Sequence, residues 1–218
     1  SDYGMQVYAN AYEKIVREIL AMPLGAAVTA QPVSQRKEPD LYEWKERHHS
    51  ILQKIEQQKP KKVLIGDWMR GDVESAGYLN LGYSSDRIEN VLWRIYHGEL
   101  DGYQAEKIVV MIGTNNLGIH SAEEIVDGLE FLLKQIQIRQ PKAKIKVAGL
   151  FPRKGMESDV KKLNKQISKM AARNGCDYID VGKKLLAKSG KIDEKLFVDG
   201  QRLNDKGDAV IVGSGLLD

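Results

Sequence analysis

The chain has 218 residues, 42% hydrophobic and 29% charged, with a net charge of +3. That is enough chain for one large domain with a real core, and the charge is too small to argue for nucleic acid. One cysteine, Cys176, excludes an internal disulfide and a cysteine metal set, so a small buried filler is expected there. No apolar run approaches the ~18 residues of a membrane span. Residues 19–30 have a faint likeness to a signal-peptide core. The acidic, helix-like stretch before them and the Pro23–Gly25 break oppose it, so a soluble chain with no retained signal peptide is expected.

In chain order, apolar residues at Met5, Tyr8, Ala11, Tyr12, Ile15, Ile19 and Met22 have the spacing of an amphipathic helix over residues 5–22. Residues 25–40 hold two prolines and no periodicity, and read as a surface linker. A second helix follows over 41–58, with Asp40 as its N-cap. Residues 61–66 (KKVLIG) form a first strand, breaking into Asp67, Trp68 and Met69. A short strand at 78–81 leads through the turn GYSSD into a helix from Asp86 to about Tyr96.

Residues 107–116 (KIVVMIGTNN) are the strongest signal in the chain. Five apolar residues in a row, then Gly, Thr and two Asn, read as a buried central strand of a parallel sheet ending in a turn. A helix over 121–139 follows, with Glu123 and Glu124 in its first turn. Then come a strand at 143–150, a helix at 157–173 and a short strand at 177–181. Strands alternating with helices give right-handed βαβ units, hence an α/β sandwich of about five parallel strands with helices on both faces. In such sheets ligands bind at the carboxyl ends of the strands. Four segments meet there: 66–68 (GDW), 82–86 (GYSSD), 113–116 (GTNN) and 199–202 (DGQR).

In order and spacing these blocks resemble the SGNH (GDSL-type) ester hydrolases, nearest to the branch of the platelet-activating-factor acetylhydrolase catalytic subunits. The resemblance runs from about Trp44 to Gly207 and is densest at LNLGYSSDRIENVLWRI, VVMIGTNN and RQPKAKIKVAGLFPR. It implies a flavodoxin-like three-layer fold, a small acyl-ester substrate and no cofactor or metal. It implies a serine nucleophile after Gly-Asp, oxyanion donors from the second and third blocks, and an Asp-x-x-His base at the end. Asn115 and Asp199 stand in their family positions, Ser85 takes the oxyanion glycine position, and Asp67, Asn116 and Arg153 are candidate binding residues.

The nucleophile position is Trp68 and the base position is Arg202. Indole has no nucleophilic oxygen, and a guanidinium takes up no proton near neutral pH. Losing either member of a triad costs on the order of a millionfold in kcat. The expectation is therefore an impaired hydrolase scaffold acting as a binding or structural module, with Arg202 paired to Asp199. The alternative is an enzyme with a rebuilt site, using Asp199 or an unassigned serine (Ser75, Ser84, Ser85) against a flat substrate stacked on Trp68. Of the histidines, only His120 lies on the correct sheet edge, where a helix-start or surface role is the simpler reading. Asp67, Asp72, Glu74 and Asp199 form at most a carboxylate cluster for a divalent cation, and a solvated acidic loop is expected instead.

Two further departures stand out. Residues 69–77 are short where the family spends a longer segment, so Trp68, Met69 and Arg70 read either as a binding surface or as a plug. The tail from 208 (DAVIVGSGLLD) is too short and glycine-broken for the family's closing helix, which residues 5–22 resemble instead. A single domain follows: residues 1–24 as displaced closing helix, 25–40 as linker, 41–207 as core and 208–218 as tail. Circular permutation accounts for this order, and with the replaced positions it raises an engineered origin. The linker is also long enough for a swapped homodimer.

Overall fold

The computed structural model describes residues 26–32, 43–68 and 73–218. The expected helix over 5–22, the Asp40 cap, and Met69, Arg70 and Asp72 lie outside the described residues. Five parallel strands form one sheet: β1 (Lys62–Gly66), β2 (Leu79–Gly82), β3 (Lys107–Met111), β4 (Lys144–Ala148) and β5 (Asp177–Ile179). Their order is β2-β1-β3-β4-β5. This is the doubly wound flavodoxin-like arrangement, whose order reverses between β1 and β3.

The sheet divides the core in two. Val63, Ile65, Ile108, Val110, Ile145 and Val147 point into the larger half, under four helices. These are α1 (Trp44–Gln58), α2 (Ile88–Arg94), α3 (Ala122–Arg139) and α4 (Glu157–Arg173). The alternate residues Leu64, Val109, Met111 and Ala148 face a smaller core, covered by α5 (Asp205–Val212) and by irregular chain from 181 to 203. The two-residue period of a strand makes this division. The sandwich is therefore lopsided, and the described residues between β1 and β2 include no helix.

Local chemistry explains the boundaries. Ser121 Oγ accepts from Glu124 N at 3.2 Å while Glu124 Oε2 accepts from Ser121 N at 2.8 Å, a capping box that starts α3. At the strand ends, Gly66 and Gly82 are required by close approach. A Cβ on Gly66 would lie 1.8 Å from the Met111 carbonyl oxygen, and one on Gly82 would lie 1.9 Å from that of Trp68.

Several expectations are corrected. The helix over 41–58 begins at Trp44, with Glu43 as its cap residue. The helix expected from Asp86 begins at Ile88, because Asp86 is buried and accepts hydrogen bonds from other elements. It passes at Ile95 into a wider turn through Glu99. The last strand stops at Ile179, and Val181–Leu185 is a 3-10 turn.

Part of the linker is also not surface chain. Ala27 is fully buried, and it sits so close to Gly128 of α3 that a Cβ there would lie 2.8 Å from its own. Gln31 N donates to Glu89 O at 3.0 Å, and Asn90 Nδ2 donates to Gln31 O at 3.0 Å. Small residues and free backbone groups let this segment dock where periodicity gives no sign. The 208–218 tail likewise straddles a helix. Asn204 Oδ1 accepts from Lys206 N and Gly207 N, starting α5, and Gly213 ends it.

Candidate functional site

The carboxyl ends of β1 and β3 bring Asp67 and Asn115 together. Asn115 Nδ2 donates to Asp67 Oδ2 at 2.8 Å and to the Asp86 carbonyl at 3.0 Å. Its Oδ1 accepts from Arg153 Nη2 at 2.9 Å. Both amide protons are thus engaged, tying the ends of β1 and β3 to the turn after β2. Burial, followed by the negative charge of Asp86, pushes the Asp67 carboxyl up to about 7, against its own backbone N–H, Arg153 and Arg94. Burial draws the Arg153 guanidinium down, while Asp67 and Asp199 hold it up. A carboxyl that titrates near neutrality, an amide and a guanidinium therefore share the sheet's switch point.

Ser85 lies in the turn leading to α2, half-buried, with φ 61, a left-handed conformation that glycine adopts more easily. Asn116 does not reach this group. It is fully buried, its Oδ1 accepting from Ile88 N at 3.1 Å and its Nδ2 donating to Glu89 Oε2 at 2.9 Å. It anchors the start of α2, and His120 Nδ1 lies 3.1 Å from its Nδ2.

Trp68 turns away from the cleft. It is 6% exposed, packs in the smaller core, and donates from Nε1 to Asp208 Oδ1 at 2.8 Å. Neither an aromatic binding surface, nor a platform for a flat substrate, nor a plug in the site fits this burial, because the indole is packed in the smaller core. Arg202 and Asp199 pair as expected: Arg202 Nε donates to Asp199 Oδ2 at 2.8 Å, and Asp199 Oδ1 accepts from Arg202 N and Gln201 N. The Arg202 backbone N–H, then the guanidinium and Gln201, hold the Asp199 carboxyl below its usual range despite slight desolvation. Among the described residues no group of three His, Cys, Asp or Glu side chains is placed to hold a metal.

Behind the site lies a buried polar network that sequence reasoning missed. Arg94, fully buried, donates from Nε to Asp86 Oδ2 at 3.0 Å, from Nη1 to Glu99 and to Leu81 O, and from Nη2 to Gly66 O at 3.3 Å. Tyr83 Oη donates to Glu99 Oε1 at 2.6 Å, and His48 Nδ1 lies 2.9 Å from the same oxygen. Trp44 Nε1 completes the set on Asp86 Oδ1 at 2.7 Å. Burial alone would raise Glu99; Arg94 beside it, with His48 and Tyr83, brings it below the usual carboxylate range. The signal in the sequence was a charged pair, Arg94 and Glu99, inside an otherwise apolar stretch, LWRIYHGEL.

Comparisons with known proteins agree with the fold. The chain is 31% identical over 137 residues to platelet-activating factor acetylhydrolase IB subunit alpha1 of Homo sapiens, covering 58% of this chain and 59% of that protein. The alpha2 subunit of Rattus norvegicus matches with the same identity and coverage. The chain thus spans 59% of the length of these curated relatives. In fold it is similar to a GDSL-like lipase from Bacteroides thetaiotaomicron, with TM-score 0.61 and 15% identity over 78% of this chain and 92% of that one. It is also similar to the lipase/acylhydrolase from Enterococcus faecalis, with TM-score 0.52 and 16% identity over 70% and 93%. Among the described residues no helix is long and apolar enough to cross a membrane. The GDSL-like lipase/acylhydrolase family model matches residues 49–210, all five strands of the sheet and all five helices in whole or part, and the chain belongs to that family.

Proposed function

We propose that this chain is a GDSL-family acylhydrolase scaffold that has lost Ser–His ester hydrolysis and serves as a binding or structural module. The observation that carries the reading is the state of the two reactive positions. Trp68 is buried and bonded to Asp208, and Arg202 is spent on Asp199. An acyl carbon at the strand ends would meet neither a nucleophilic oxygen at 68 nor a base at 202, and Asn115 has both amide protons engaged. A small acyl ester is the substrate class that the family supplies. The test is hydrolysis of a p-nitrophenyl ester series together with fluorophosphonate labelling. No turnover above a protein blank and no labelled serine are expected. Stoichiometric labelling of any serine would overturn the reading.

One observation favours a second reading, an enzyme with a rebuilt site. Asp67 titrates at about 7 beside Asn115 and Arg153, and a carboxyl near the working pH suits general-base activation of water. Asp199, the other carboxylate considered, is held low by Arg202 and suits that role less. Ester turnover that rises with an apparent pKa near 7 and disappears in Asp67→Asn would select this reading.

A further inference from the structure

The lower half of the sheet's smaller-core face carries a row of lysines. Lys62, Lys107 and Lys144 are Cα partners in register on β1, β3 and β4. Their successors Val63, Ile108 and Ile145 enter the larger core. By strand alternation the three lysines therefore project from the opposite face, as does Lys146. Adjacent strands lie ~4.8 Å apart, so the row extends over roughly 10 Å. Lys62 Nζ donates to Ala76 O at 3.4 Å and lies 5.5 Å from the Tyr78 ring. Among the described residues no side-chain carboxylate forms an ion pair with any of the four, whereas Lys61 next to them pairs with Glu106 at 3.6 Å. Like charges directly opposite one another across strands are destabilising, so an unneutralised row favours an anionic occupant.

The chain itself shows what form of occupant this face accepts. Lys146 Nζ donates to the main-chain oxygens of Gly215 at 3.2 Å and Asp218 at 3.1 Å. Between them Leu216 and Leu217 are buried in the smaller core. Burial first, then the negative charge of Asp218, raises the Tyr78 phenol beside β2. An irregular peptide segment thus already lies on this face with a lysine gripping its main-chain oxygens. It leaves Lys107 and Lys144 without carboxylates.

We propose that the Lys62–Lys107–Lys144 row, with Lys146, is a docking surface for an extended acidic peptide segment of a partner protein. Side chains on alternate residues of an extended chain recur every ~6.6–6.8 Å on one side, so two or three carboxylates span the row. Nucleic acid fits less well, because Tyr78, the aromatic ring at the row, is 3% exposed and offers no platform for a base. A bilayer fits less well too. The row extends over only roughly 10 Å, which is narrow for a lipid surface.

The test is fluorescence anisotropy of a labelled Glu-Ser repeat peptide and its Gln-Ser counterpart on the full chain at low and high salt. The Glu peptide alone should bind, and binding should weaken steeply with salt. Lys107→Gln with Lys144→Gln should weaken it by roughly tenfold or more, and Lys107→Glu with Lys144→Glu should abolish it. The glutamine pair keeps the stems of both side chains, and circular dichroism checks the fold of each variant. Equal binding by parent and folded variants, or no binding by the parent, would overturn the proposal. So would tighter binding, lost in the same variants, to phosphatidylserine vesicles or a thymidine oligonucleotide.

Discussion

The indole of Trp68 donates to the carboxylate of Asp208 at 2.8 Å, across 140 positions of sequence, and so ties the end of β1 to α5. Position 68, which the sequence resemblance sets against the family's nucleophile, is thereby a structural joint between the sheet and the helix that covers its smaller core. Trp68→Phe keeps most of the apolar bulk and removes the donor. Leaving Asp208 without that bond is expected to cost about 1–3 kcal/mol. Asp208→Asn, which keeps an acceptor oxygen, should cost less. Urea unfolding of the three proteins at one pH checks the order, and equal midpoints would mean that the bond contributes nothing.

The Arg94 network should be worth more. Arg94→Leu would leave Asp86 and Glu99 as buried carboxylates without their cation, a loss of about 3–5 kcal/mol for a broken buried pair. It would also free the Gly66 and Leu81 carbonyls that the guanidinium holds. Thermal melting should therefore fall well below that of an exposed control such as Arg173→Leu, whose partner Glu130 lies at the surface end of a similar pair. The carboxylate side has a defined sign. Glu99 sits below its unfolded value, so its contribution is present above about pH 4.5 and is lost as pH falls through its folded value.

Asp67 has the opposite sign. Its folded value of about 7 stands above the unfolded value of 3.8, so the folded state binds the extra proton between them. Stability contributed by this group is therefore full below about pH 4 and declines as pH rises to about 7. Asp67→Asn removes the charge and keeps an oxygen for Asn115 Nδ2. At pH 8 the variant should be more stable than the parent by on the order of 2 kcal/mol, with the half-buried position holding the gain below the full linkage value. At pH 4 the two should melt together. A variant less stable than the parent at pH 8 would show that the charged form is favoured in the fold.

Placing at 68 and 202 the residues that the resemblance implies tests whether these positions can form a working site. Trp68→Ser with Arg202→His puts a serine and a histidine at the two positions that the resemblance sets against the family's nucleophile and base. Removing a buried indole costs about 3–5 kcal/mol, so the variant should melt lower than its parent. Turnover of p-nitrophenyl acetate should be detectable and small, because Asn115 must release a proton donor now shared by Asp67 and Asp86. Fluorophosphonate should label position 68. A folded double variant with neither label nor turnover would show that the four positions no longer converge.

The sheet was legible in the sequence because its signals are local. Apolar runs such as residues 108–112, closed by Gly-Thr-Asn-Asn, state a buried parallel strand, and the 3.6-residue spacing of α3 and α4 states what covers it. The Gly-Asp-Trp and Asp-Gly-Gln-Arg blocks, and with them the Asp199–Arg202 pair three residues apart, were equally local. Direction and partnership were not. The sequence places Trp68 at the site, but only the packing of α5 turns its indole away from the cleft. Asn115 and Asn116 are adjacent and chemically identical. One meets Asp67 and Arg153, while the other is buried under α2, because a 3-10 turn sends neighbouring side chains in different directions. The Arg94 network and the lysine row draw residues from separate elements, so no window of sequence contains them. Alternation fixes which face a side chain takes, and the tertiary register decides what it meets there.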